Sequence, residues 1–166
     1  MVMGFSGPIH QVGPTEIIGA DDAEVAASEY SNTVDFTMDP RANGNGVSGE
    51  ILSIGMVSGE SGSGDPQKPA FDLDIFDEDP NTSAGDSVLA AEAAEHNTLV
   101  AVVPFSSADW FSDTVGGFCY RQIAVPFQVV TKLYVVMRPA AGSTAINSST
   151  GDDEFLKVTF WYRRDS

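Results

Sequence analysis

Apolar and polar residues alternate with a period of two along much of this chain, the signature of half-buried strands. The clearest case is Ala70 to Phe76 (AFDLDIF), where Phe71, Leu73 and Ile75 face one way and Asp72 and Asp74 the other. Val34 to Met38 alternates too, and Val47 to Val57, Leu99 to Phe105, Phe118 to Val130, Lys132 to Met137 and Phe155 to Tyr162 also read as strands. All are rich in β-branched or aromatic residues, which suit a pleated surface. In the last segment Leu156, Val158, Phe160 and Tyr162 share one face. Phe155, Lys157, Thr159, Trp161 and Arg163 share the other, so both faces carry aromatics and both expect some cover. Between these runs lie Ser58 to Gln67, Ala108 to Gly117 and Ala140 to Gly151, which read as loops. Helical pattern is confined to Ser87 to His96, N-capped by Asp86, and to a short stretch from Asp21 to Tyr30. The pattern predicts a mostly β protein: a single antiparallel β-sandwich or jelly-roll domain over residues 31–166, with one short helix. Residues 1–30 are broken by Gly4, Gly7, Pro8, Gly13, Pro14 and Gly19, and read as an extended arm. The arm either packs on its own domain or reaches a neighbour, and its first 20 residues are expected to be dispensable for folding.

Charge narrows the function. The chain carries 24 acidic and 8 basic residues, net −16. A surface that holds nucleic acid needs a basic face, so nucleic acid is not an expected partner, and an anionic membrane is unattractive for the same reason. The charge is also uneven: residues 1–120 hold 20 acids and 2 bases, residues 121–166 hold 4 acids and 6 bases. Such halves either attract one another in an assembly or reflect acidity that serves solubility. The longest apolar runs fall far short of the ~20 residues that span a bilayer. The first residues carry no positive charge and no apolar core of signal-peptide length, so assembly in the cytoplasm is expected. The lone cysteine, Cys119, allows no intrachain disulfide.

Few residues suggest chemistry. Gly44 to Gly49 (GNGVSG) matches GxGxxG, but the dinucleotide version needs a strand before it and a helix after it, and a strand follows here. A hairpin turn is the expectation for the Asn-Gly pairs. Asp72, Asp74, Asp77 and Asp79 form an acidic segment, a weak candidate for calcium, without EF-hand spacing. Asp72 and Asp86 are weaker still as a hydrolase pair. Cys119 and His96 could in arithmetic form a nucleophile pair, but a thiol within a strand is more commonly buried and inert. No metal, cofactor or catalytic residue is expected. Trp110 and Phe111 sit in a predicted loop, where aromatics either touch partners or plug the end of the sandwich.

The segment from Lys68 to Phe76, then Asp79-Pro80-Asn81 and the short helix from Asp86, carries a family resemblance. Together with Leu99 to Phe105, Pro126-Phe127 and Lys132-Leu133-Tyr134, it resembles a family of small virion proteins of tailed bacteriophages. The resemblance covers roughly residues 68–138 and rests on fold residues rather than a reactive site. It implies a non-enzymatic capsid cement or decoration protein on the virion surface. Its partners would be the major capsid protein and further copies of itself, arranged as trimers at local symmetry axes. The expected contact residues are the apolar ones of the arm, Phe5, Ile9, Ile17 and Ile18, with Trp110 and Phe111 of the loop. A tail or baseplate protein, and a calcium-assisted carbohydrate-binding module using Trp110 and Phe111, are the alternatives.

Overall fold

In the computed structural model the described residues are 8–18, 25, 30–39, 45–59, 68–80, 98–112, 116–140 and 156–165. They form nine strands: β1 (Ile9–Ile18), β2 (Val34–Thr37), β3 (Val47–Ser58), β4 (Phe71–Phe76), β5 (Leu99–Phe105), β6 (Trp110–Ser112), β7 (Gly117–Val130), β8 (Lys132–Pro139) and β9 (Leu156–Arg164). One sheet runs β1-β9-β3-β7-β6 and the other β2-β8-β4-β5, with every pairing antiparallel. This is the strand order of an eight-stranded jelly roll, with the three-residue β6 added beside β7. The predicted helix at Ser87 to His96 lies outside the described residues. Of the predicted helix at Asp21 to Tyr30 only Val25 and Tyr30 are described; Val25 makes a single bridge and both are buried.

The inner faces of both sheets meet in one apolar core. Phe36 of β2 meets Phe160 of β9 edge-on, with ring centroids 4.6 Å apart, and Phe71 of β4 meets Trp110 of β6 at 6.4 Å. The Tyr162 hydroxyl spans the sheets and donates to the Met38 carbonyl at 3.0 Å. The period-two reading of β4 and β9 is therefore correct: Phe71, Leu73, Ile75, Leu156, Val158, Phe160 and Tyr162 are all buried. The outer face of the four-stranded sheet is covered as well. Phe76 and Val136 are buried there with Tyr30, and Leu99 and Tyr134 pack against them.

Two expectations need correction. Residues 9–18 are not an arm: they form edge strand β1, paired along its length with β9. The register shifts between Val12 and Thr15, at Gly13-Pro14, and again between Glu16 and Ile18. Gly13 has φ +93, and a Cβ there would stand 2.5 Å from the Val158 carbonyl oxygen, so the bulge requires glycine. The shifts let both Val12 and Ile17 meet the core although their parity differs, and they hide the strand from a period-two reading. Removing residues 1–20 would thus remove a strand. The Asn-Gly segment before β3 is not a hairpin either, because β2 and β3 belong to different sheets and the chain crosses between them. Phe160 is fully buried at the centre of the core. Phe160→Ala is expected to cost about 3–5 kcal/mol, lowering Tm by about 10 °C in calorimetry.

Candidate functional site

The side chains that remain exposed decide what this body can touch. Ile9 (65 % exposed) and Phe111 (70 %) are the two most exposed large apolar residues among those described. They stand on β1 and β6, the opposite edge strands of the five-stranded sheet. Ile9 pairs with Arg163 and Phe111 with Phe118, whose ring lies 6.4 Å away. Both were expected as contact residues, and both are exposed.

The other expected contact residues fare differently. Ile17 is 2 % exposed and belongs to the core. Trp110 is also buried: its indole N–H donates to the Pro69 carbonyl at 2.9 Å and its ring packs toward Phe71. The predicted loop around it is instead a 3-10 turn (Ser107–Asp109) followed by β6, so alternate residues point in and out: Trp110 plugs the sandwich while Phe111 faces solvent. Phe5 and the side chain of Ile18 lie outside the described residues.

The acidic segment divides in two. Asp72 and Asp74 leave the outer face of β4 beside Arg138 of β8, directly across from Asp72. The Arg138 guanidinium reaches Asp74 at 2.8 Å and Asp72 at 3.2 Å. Asp74 is 3 % exposed rather than on a solvated face. One cation thus occupies the space between these two carboxylates, which argues against their use as a calcium site. Asp77 and Asp79 are exposed in the following turn, and no metal-ligating cluster occurs among the described residues. Asp86 and His96 lie outside the described residues. The GxGxxG run continues straight into β3, with Gly49 inside the strand, so it offers no helix N-terminus to a phosphate.

Cys119 is buried on β7, and burial, followed by the nearby Asp109 charge, pushes its thiol up to about 12. A thiol so protonated is a core residue rather than a nucleophile. Asp109 anchors the turn before β6. Its carboxylate accepts the Ser106 backbone N–H at 2.7 Å and the Ser106 hydroxyl at 3.0 Å, and it pairs with Arg121 at 3.0 Å. Arg121 also donates to the Pro104 carbonyl and lies over the Phe105 ring. This network joins the two sheets at the Phe111 end.

The sequence reading missed the open outer face of the five-stranded sheet. Phe118 and Tyr120 of β7 and Val57 of β3 are all more than two-fifths exposed there. Their shared parity on β7 was available in the sequence, but which parity faced outward was not. Among the described residues no helix is long and apolar enough to cross a membrane.

Two outcomes test this description. Cys119 should resist alkylation at pH 8 in the native protein and react fully once the chain is unfolded; rapid native labelling would contradict its burial. The Ser106 backbone N–H, against the smaller opposing effect of burial, holds the Asp109 carboxyl below its ordinary 3.8, with Ser106 hydroxyl and Arg121 adding to the effect. A lowered carboxyl stabilises the fold when ionised, and that contribution disappears as pH falls through the folded value. Asp109→Asn should therefore lower Tm near neutrality, with the deficit closing below pH 3.8. A deficit constant with pH would contradict the role of the charge. No protein-family model matches the chain, and comparison with curated proteins finds no match.

Proposed function

We propose that this chain is a non-catalytic virion structural protein, a cement or decoration subunit that grips the major capsid protein on the shell surface. The observation that carries the reading is the placement of Ile9 and Phe111, two exposed apolar side chains on opposite edges of one open sheet. A clamp between neighbours needs contacts on two sides of a rigid body, and large apolar side chains at such points are the usual anchors of protein interfaces. The jelly roll adds support by analogy, since viral capsid proteins use it, although lectins and cupins do too. Weak contacts at each edge, repeated around a shell, gain strength through multivalency. Oligomerisation, including a trimer, belongs to the same proposal, as does residence on the capsid rather than the tail.

The test is co-sedimentation of the purified chain with shells of the coat protein it accompanies. Ile9→Ser and Phe111→Ser change exposed positions, so both variants should keep the wild-type Tm within about 2 °C. Each is expected to weaken shell binding, and the double variant to weaken it by about tenfold or more, roughly 1.4 kcal/mol. Wild-type saturation by the folded double variant would show that these edges are not the grip. Complete virus particles that lack the chain would overturn the reading altogether.

A further inference from the structure

One residue of β7 does not suit the face on which it stands. Cys119, Arg121, Ile123, Val125 and Phe127 alternate along the inner side of that strand, and Arg121 is paired with the fully buried Ile54 of β3. Cys119 and Phe127 belong to the core, and Ile123 and Val125 pack against it. Arg121 alone in this series points a charge toward the opposite sheet. Turning an ion inward costs desolvation, so an apolar residue of similar volume is often neutral or stabilising in such a place. Stability by itself therefore favours an aliphatic side chain at position 121, and the guanidinium contacts show what arginine adds.

Between β5 and β6 the chain leaves the four-stranded sheet and enters the five-stranded one, crossing over residues 106–109. Arg121 holds both ends of this crossing. Its Nη1 donates to the Pro104 carbonyl before the turn, and its Nη2 pairs with Asp109 Oδ2 at 3.0 Å where the turn ends. The guanidinium carbon lies 5.2 Å from the Phe105 ring centroid. The same Asp109 oxygen accepts the Ser106 N–H and hydroxyl, which closes the turn. A planar guanidinium offers donors in fixed directions and serves two acceptors at once, whereas a lysine brings one point charge. The residues that follow are Trp110 and Phe111. β6 has three residues and pairs only with β7, so its own ladder does little to fix its direction. Trp110 is anchored at the Pro69 carbonyl, while Phe111 is exposed and takes its direction from the backbone beneath it.

We propose that Arg121 is the positioning residue of the Phe111 edge: by tying the Pro104 carbonyl to the Asp109 carboxylate, it sets the angle at which the crossing delivers β6 and so the direction in which Phe111 meets a partner protein. The inference rests on the reading of Phe111 as a contact with the shell. The test is Arg121→Met, which keeps an unbranched apolar stem on the inner face and removes both polar contacts. Hydrogen–deuterium exchange of the free full chain is read on peptides covering residues 106–112. It should speed up there by about tenfold or more, while exchange in β3 and β9 and the Tm stay near wild type. Shell co-sedimentation should weaken to the level of Phe111→Ser, and the two changes combined should weaken it little further, because they act on one contact. Arg121→Lys should restore part of the protection. Unchanged exchange over residues 106–112 in folded Arg121→Met overturns the proposal, whatever the shells do. So does faster exchange with wild-type shell binding while Phe111→Ser binds weakly. Wild-type shell binding by folded Phe111→Ser refutes the contact reading itself, and with it the part assigned to Arg121. If Arg121→Met fails to fold, Arg121→Lys and Asp109→Asn carry the same exchange measurement; both should lose protection over residues 106–112, and wild-type exchange in both overturns the proposal.

Discussion

Each C-terminal strand of this protein is inserted between two earlier ones, and the rest of the structure depends on that interleaving. β9 lies between β1 and β3, β8 between β2 and β4, and β7 between β3 and β6. The five-stranded sheet has no continuous inner face without β9, whose Leu156, Val158, Phe160 and Tyr162 belong to the core, and the four-stranded sheet has none without β8. Only β4–β5 and β6–β7 are pairings of consecutive strands; every other pairing closes a long loop, and that entropy is spent before the core rewards it.

The uneven charge of the sequence follows the same plan. Five of the six cations after residue 120 pair with acids that precede it: Arg121 with Asp109, Lys132 with Asp35, Arg138 with Asp72 and Asp74, Lys157 with Glu16, and Arg163 with Glu50. The attraction between halves is therefore satisfied within the chain. Exposed pairs of this kind contribute on the order of 0–1 kcal/mol each, so burial of apolar surface carries stability and the pairs favour the correct neighbours. A basic strand placed between acidic ones also relieves repulsion that the −16 chain would otherwise suffer.

The two sheets end with different outer faces. That of the four-stranded sheet is closed by the chain's own residues, with Tyr30 over Phe76 and Val136, and with Asp74 buried against Arg138. That of the five-stranded sheet is open, carrying Ile9 and Phe111 at its edges and Tyr120 and Trp161 at its centre. The first face is thus covered from within the chain, while the second presents apolar and aromatic side chains outward.

The sequence by itself determined the antiparallel sandwich, seven of the nine strands and the inward faces of β4 and β9, because period-two alternation is a local property of each strand. It also named Ile9 and Phe111 as contact candidates, but alongside Ile17 and Trp110, which are buried, and it read Cys119 as a buried thiol. Only the tertiary structure decided that Ile9–Ile18 is a strand, since bulges break its alternation and its apolar residues acquire a common face only against β9. Only packing separated Trp110 from Phe111: adjacent residues on a strand point to opposite sides, and which side is the core is set by Phe71 across the sandwich. The Arg138 clamp and the Tyr120–Trp161 ring contact were illegible for the same reason. Each joins residues far apart in the chain, and cross-strand register brings them together.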